Sequence, residues 1–292
     1  MSGAIQTGTT ARRWAVPVLR FAMALAALLL AAPKAFALDP ERSVSQALLR
    51  KWQIQQGLPA PTITAIAQSA DGTLWLGTQS GLYQFDGVRF DSAPAIDEEP
   101  LDSIWVNDLC EDRSGTLWIA TREHGLLSFR NGEVMRFNSP VPFPIQKVNC
   151  LLLDRQGDVW AGGDEGVVRY HDGTFRRYGR SEGFHVTKVR DLTEGPDGAI
   201  WIGGDDAGLC ALRNGQFVDQ GGLRGRTVSA LLADRDGRLW IGTNRGLLRL
   251  DPGQDVQVIS LDPYSAGPIE CLAQTREGAV WVGSRNGLFR LI

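Results

Sequence analysis

This sequence predicts an all-β fold, a β-propeller of four-stranded blades, and three observations lead to it. Tryptophans recur at 75, 118, 160, 201, 240 and 281, a period close to 40 residues. A glycine stands three residues before each of them, and aliphatics stand nine and twelve before: Ile63 and Ile66 in the first copy, Val228 and Leu231 in the fifth. Between these marks the tracts are short, rich in β-formers and bounded by Asp, Gly and Asn, with no helical period anywhere in the repeats. A four-strand unit of this length with a Trp signature is the mark of blades stacked around an axis.

The elements follow in chain order. Residues 1–37 read as a signal peptide: Arg12, Arg13 and Arg20, an uncharged run from Phe21 to Pro33, then Ala35-Phe36-Ala37 as a cleavage site. The run is too short for a spanning helix, although an uncleaved anchor is the competing reading. Residues 38–61 form an N-terminal segment, and its stretch from Ala47 to Gly57 is expected to supply a ring-closing strand. Residues 62–292 hold the repeats. Each unit begins with a strand carrying the Val-x-x-Leu pair, such as Val228–Leu231. A turn such as Asp234–Gly237 leads to a second strand of the "LWIGT" kind. A further turn leads to a third, "LLRL" at Leu247–Leu250, and pieces such as "VMRF" at Val134–Phe137 make the fourth.

The second strand is apolar at three successive positions, so both of its faces must be covered. Neighbouring blades provide that cover, and each tryptophan fills the wedge between them, burying about 200 Å². The sixth unit stops after its third strand. Six repeats are therefore visible, in a six-bladed ring closed by the N-terminal strand or in a truncated seven-bladed one.

Charge and cysteine content narrow the function. With the leader removed, 26 basic residues face 33 acidic ones, which argues against nucleic acid as a partner. The four cysteines, Cys110, Cys150, Cys210 and Cys271, form no Cys-x-x-Cys and read as small buried hydrophobes. Titration under denaturing, non-reducing conditions should find four free thiols; two or none would mean disulfides.

The unit "G-x-L-W-I-G-T-x-x-G-L-x-R" resembles the two-component regulator propeller repeat, found in periplasmic sensor regions of hybrid histidine kinases and of some diguanylate cyclases. The first unit, Lys51 to Phe90, looks like the opening blade of the cyclase-linked versions. The resemblance covers the six repeats and implies extracytoplasmic ligand sensing in a bacterial signal-transduction system, of the two-component or cyclic-di-GMP type, without catalysis in this chain. Family members usually carry seven or more repeats, then a β-sandwich, a transmembrane helix and an output domain, none of which is in this sequence. The implied location is the periplasm. The implied partners are a small polar ligand or glycan and a membrane signalling protein, with no cofactor.

Residues that vary between repeats mark the working face. The turns after the second strands offer Arg122, His124, Arg245 and Arg285. The position after each strand's first aliphatic offers Asn107, Asn149, Arg190 and Glu270, with Trp105 beside them. An aromatic-plus-polar ring of this kind suits a sugar or carboxylate. Two other functions stay open. One is an enzyme similar to streptogramin lyases and periplasmic lactonases, which use a catalytic histidine or divalent metal at the channel. The other is a protein-interaction scaffold. Of the three histidines only His124 lies on the candidate face, with no partner at a readable spacing, and no HExxH, P-loop or nucleophile elbow is present.

Overall fold

The computed structural model describes residues 51–93, 104–137, 145–205, 208–220, 223, 225–261 and 267–291. The expected signal peptide and most of the 38–61 segment lie outside them. The fold is the expected β-propeller, with blades that follow the repeat. Blade one comprises β1 (Ile63–Gln68), β2 (Leu74–Thr78), β3 (Gly81–Phe85) and β4 (Phe90–Ser92); blade two comprises β5 (Val106–Glu111), β6 (Leu117–Thr121), β7 (Leu126–Arg130) and β8 (Glu133–Arg136). Blade three is β9 (Val148–Leu153) to β12 (Thr174–Tyr178), and blade four is β13 (Thr187–Glu194) to β16 (Gln216–Asp219). Blade five is β17 (Val228–Ala233) to β20 (Val256–Ile259). Blade six shows three strands, β21 (Ile269–Gln274), β22 (Val280–Ser284) and β23 (Gly287–Leu291). All pairings are antiparallel between consecutive strands, and the first strands of successive blades lie side by side from β1 through β21.

The second strands are covered on both faces, as their composition requires: β6, β10 (Val159–Gly163) and β18 (Leu239–Thr243) are buried at every position. The Asp of the first turn organises this packing. In blade three, Asp154 accepts the backbone N–H of Gln156 and Asp158 on Oδ1 and the indole N–H of Trp160 on Oδ2, at 2.9, 2.9 and 2.8 Å. Asp112 and Asp234 do the same for Trp118 and Trp240, at 2.9 and 2.8 Å, and Ser69 serves Trp75. The wedge tryptophan is thus tied to its own turn before it packs on the neighbour. A buried indole N–H needs such a partner.

Blades join through a knob and a socket. At four of the five joints between described blades the first aliphatic of the inner strand presses on a glycine in the second strand of the preceding blade, and at the fifth Val148 meets Ala120. A Cβ on Gly77 would come within 2.6 Å of Val106, on Gly162 within 2.5 Å of Val189, on Gly203 within 2.5 Å of Val228, and on Gly242 within 2.7 Å of Ile269. Glycine is required there by close approach, not by an unusual φ. Arginines add a rim: Arg113 donates to the carbonyl of Arg155, and Arg155 to those of Gly195 and Pro196.

Two flanks are left uncovered. Ile66 of β1 is 64 % exposed, whereas its counterparts Leu109, Leu151, Leu192 and Leu231 are at 8 % or less. Leu288 of β23 is likewise 64 % exposed, whereas the other five blades bury that residue almost completely. The candidate ring-closing strand begins at residues 47–50, outside the described set. Its described part forms no strand: Ile54–Gln56 is a single 3-10 turn, and Trp52 packs edge-on against Phe85 of blade one at 5.1 Å. Among the described residues, β23 has no fourth-strand partner. All four cysteines are free, but only Cys150 and Cys210 are buried; Cys110 is half-buried and Cys271 exposed. Cys271 faces outward because its blade has no covered flank there, which corrects the expectation of four buried thiols.

Candidate functional site

The turns after the second strands and the links between blades share one face, as the alternation of antiparallel strands dictates. There the candidate residues form local sets, one to a blade. In blade two the Arg122 guanidinium lies over the Trp105 ring at 4.2 Å, and the Arg122 N–H donates to the Trp105 carbonyl at 3.0 Å. A guanidinium stacked on an indole in this way is a preorganised platform for a polar ring or carboxylate. His124 is half-buried, its backbone N–H held by Thr121 Oγ1 at 3.0 Å. In blade six Arg285 Nε donates to Glu270 at 2.7 Å, and in blade four Arg190 is paired with Asp205. Arg245 of blade five is exposed at the tip of its turn.

Asn107 and Asn149 have a structural task that their variability concealed. Asn107 Nδ2 donates to the Val148 carbonyl at 2.7 Å, and Asn149 Nδ2 to the Val189 carbonyl at 2.9 Å, each on the next blade. Thr64 and Ser229 make the same bond to Val106 and Ile269. The position is therefore a latch between inner strands, and any short donor fulfils it because the acceptor is backbone. Asn149 also donates to Asp164, whose other oxygen takes Lys147 at 3.1 Å. Burial would raise the Asp164 carboxyl, but these donors prevail and hold it below the usual carboxylate range.

One residue further along, two carboxylates reach between inner strands. Asp108 accepts Leu109 N on one oxygen and Leu151 N of the next blade on the other, both at 2.8 Å. Asp191 does the same with Leu192 and Leu231, at 2.8 and 2.6 Å. Burial pushes Asp108 up to about 6 and Asp191 up to about 7, more than the backbone donors pull them down. Both values stand above an unfolded aspartate, so the stabilisation they carry is complete below about pH 4 and is lost as pH rises through 6 to 7. The melting temperature of the wild type should thus fall between pH 5 and pH 8, and Asp191→Asn should lessen that fall. An unchanged difference in the variant would refute the assignment.

A recess of about 590 Å³ opens on the same face beside blade three. Asp164 and Glu165 border it from the turn, Arg177 from β12, Arg180 and Glu182 from the link to blade four, and Phe184 forms its apolar part. Sequence reasoning named the turn but not the link. The signal was there in "GRSEG" at 179–183, where Gly179 N donates to Glu182 Oε2 at 2.7 Å and closes the 3-10 turn Arg180–Glu182. Among the described residues, no cluster of His, Cys, Asp and Glu is arranged to hold a metal ion. No described helix is long and apolar enough to cross a membrane.

Comparison with known proteins bears on this geometry. Residues 57–80, 100–123 and 222–245 match the family model described as two component regulator propeller. No curated protein matches the chain. Among solved structures, the chain is similar to the extracellular domain assigned to a hybrid two component system of B. thetaiotaomicron. The identity is 22 %, the TM-score 0.72, and the match covers 83 % of this chain and 35 % of that one. It is also similar to virginiamycin B lyase from Staphylococcus aureus, at 14 % identity and TM-score 0.62, over 78 % of this chain and 83 % of the lyase. PorZ of Porphyromonas gingivalis, a surface component of the type-IX secretion system, matches at 16 % identity and TM-score 0.57, over 81 % and 40 %. These identities show a shared fold, and the chain spans about a third of the length of the two component system domain. The chain is thus a β-propeller in which stretches of blades one, two and five match the two component regulator propeller repeat.

Proposed function

We propose that this chain is the ligand-sensing, extracytoplasmic input region of a bacterial signal-transduction system. The observation that carries the proposal is the match of its repeat to the two component regulator propeller, in a fold shared with the extracellular domain of a two component system. The ligand face is the one bearing the Arg122–Trp105 stack and the recess beside blade three. A polar ligand with hydroxyl or carboxylate groups suits it: the stack offers a flat cationic surface, and Arg177, Arg180, Asp164 and Glu182 offer both charges within one recess.

Thermal shift with a panel of oligosaccharides and small organic acids tests this reading. A compound at a hundredfold its Kd stabilises the fold by roughly 2.7 kcal/mol, a shift of several degrees for a domain of this size. Arg122→Ala should abolish the shift while leaving the melting temperature without ligand unchanged, because that side chain is on the surface. Asn149→Ala should lower the melting temperature without ligand, because its latch is lost. If no compound shifts the melting and a protein instead co-purifies stoichiometrically, the scaffold reading replaces this one.

A further inference from the structure

Four blades tie the wedge tryptophan to its turn; the sixth, where Thr275 Oγ1 makes no hydrogen bond, and the fourth do not, and in the fourth the residue that would hold it is missing altogether. Where Asp112, Asp154 and Asp234 stand six residues before their tryptophans, the fourth blade has Gly195. The Trp201 side chain is well buried, at 6 % exposed, yet its indole N–H has no acceptor among the described residues. It has moved into the room that an Asp would need. A Cβ on Gly195 would lie 2.9 Å from Trp201 Nε1 and 2.8 Å from Asp197 Oδ1.

The unpaired donor borders a cleft of about 330 Å³ between blades four and five, on the face opposite the Arg122–Trp105 stack. Pro196, Pro252, Leu239 and Leu250 give the cleft apolar walls. Pro196 and Pro252 flank Gly237, at 3.4 and 3.7 Å from the position of a Cβ there. At the rim Arg213 is paired with Asp197, and Asp251 takes Arg249 on Oδ2 at 2.8 Å, while its buried Oδ1 has no hydrogen-bond donor. A charged ligand would have to displace one of these pairs, whereas an uncharged one leaves them intact. The indole N–H is not shut off from solvent in the cleft, so a ligand carbonyl there would take the place of water as its acceptor.

We infer that this cleft binds a small uncharged molecule that presents a carbonyl oxygen to Trp201 Nε1 and a compact ring to the prolines and leucines. The inference stands apart from the proposed sensing face, which lies on the other side of the propeller.

The test is nuclear magnetic resonance of protein labelled with ¹⁵N at the indole nitrogens, titrated with N-methyl-2-pyrrolidone as the probe. The Trp201 signal, identified by its loss in Trp201→Phe, should move saturably while those of Trp118, Trp160 and Trp240 stay, since aspartates already hold them. Gly195→Asp should supply the missing carboxylate and abolish the shift. Should that variant fail to fold, Trp201→Phe read from the probe's side by saturation transfer should bind about tenfold more weakly, the worth of one such bond. An unmoved Trp201 signal, equal movement of all indoles, or undiminished binding by Gly195→Asp or Trp201→Phe would overturn the inference.

Discussion

Replacing Asp154 with alanine is expected to destabilise the propeller by about 2–4 kcal/mol, read as a lower urea midpoint with an unchanged slope. Three donors depend on this one carboxylate: the N–H groups of Gln156 and Asp158 and the indole of Trp160. Asp158 N and the indole are buried, so water does not replace the lost oxygen freely. Asp154→Asn should cost less, since the amide oxygen still accepts from one side while its NH₂ faces other donors. The indole signal of Trp160 should move in both variants. A midpoint within error of the wild type would mean that the turn holds itself through its backbone alone, by the bond of Gly157 N to the Asp154 carbonyl.

Gly203→Ala is expected to cost about 1–3 kcal/mol through overpacking. The new methyl would meet Val228 Cγ1 at 2.5 Å and Leu231 Cδ1 at 3.3 Å, both on the next blade. Val228 is β-branched and fully buried, so it has no alternative rotamer to adopt. Blade two shows how far the joint can give, for Ala120 occupies the equivalent place and is itself fully buried near Val148. The cost should therefore fall when the knob is trimmed as well. In Gly203→Ala/Val228→Ala the two changes should couple, with a double-mutant loss smaller than the sum of the single ones. Strict additivity would show that the two residues do not share a joint.

Much of the fold was legible because the repeat prints it six times. The tryptophan spacing gave the blades, and the strand boundaries followed from the Gly and Asp turns. Less legible were the contacts that join one copy to the next. Gly203 and Val228 are 25 residues apart and each looks like an ordinary repeat residue; only the stack shows that they touch. The latch misled for a physical reason. Thr64, Asn107, Asn149 and Ser229 differ in type, so they resemble recognition residues, yet all serve one backbone acceptor per blade. Glu270 cannot donate as a carboxylate and turns to Arg285 instead. The cleft at Trp201 depends on a missing residue, Gly195 in place of Asp, and a deviation of one copy becomes a signal only once the rule it breaks is known.

The uncovered flanks at Ile66 and Leu288 bear on how this molecule opens. In a linear array each unit is supported by the neighbours it touches, so units in the middle are held from two sides and those with a bare flank from one. Amide protons of β9 and β13 should therefore exchange slowest, and those of β1 and β21 through β23 fastest, giving a gradient of protection along the stack. Fraying would begin at either bare flank and advance one blade at a time, each step uncovering one more socket on the second strand, glycine at four joints and Ala120 at the other.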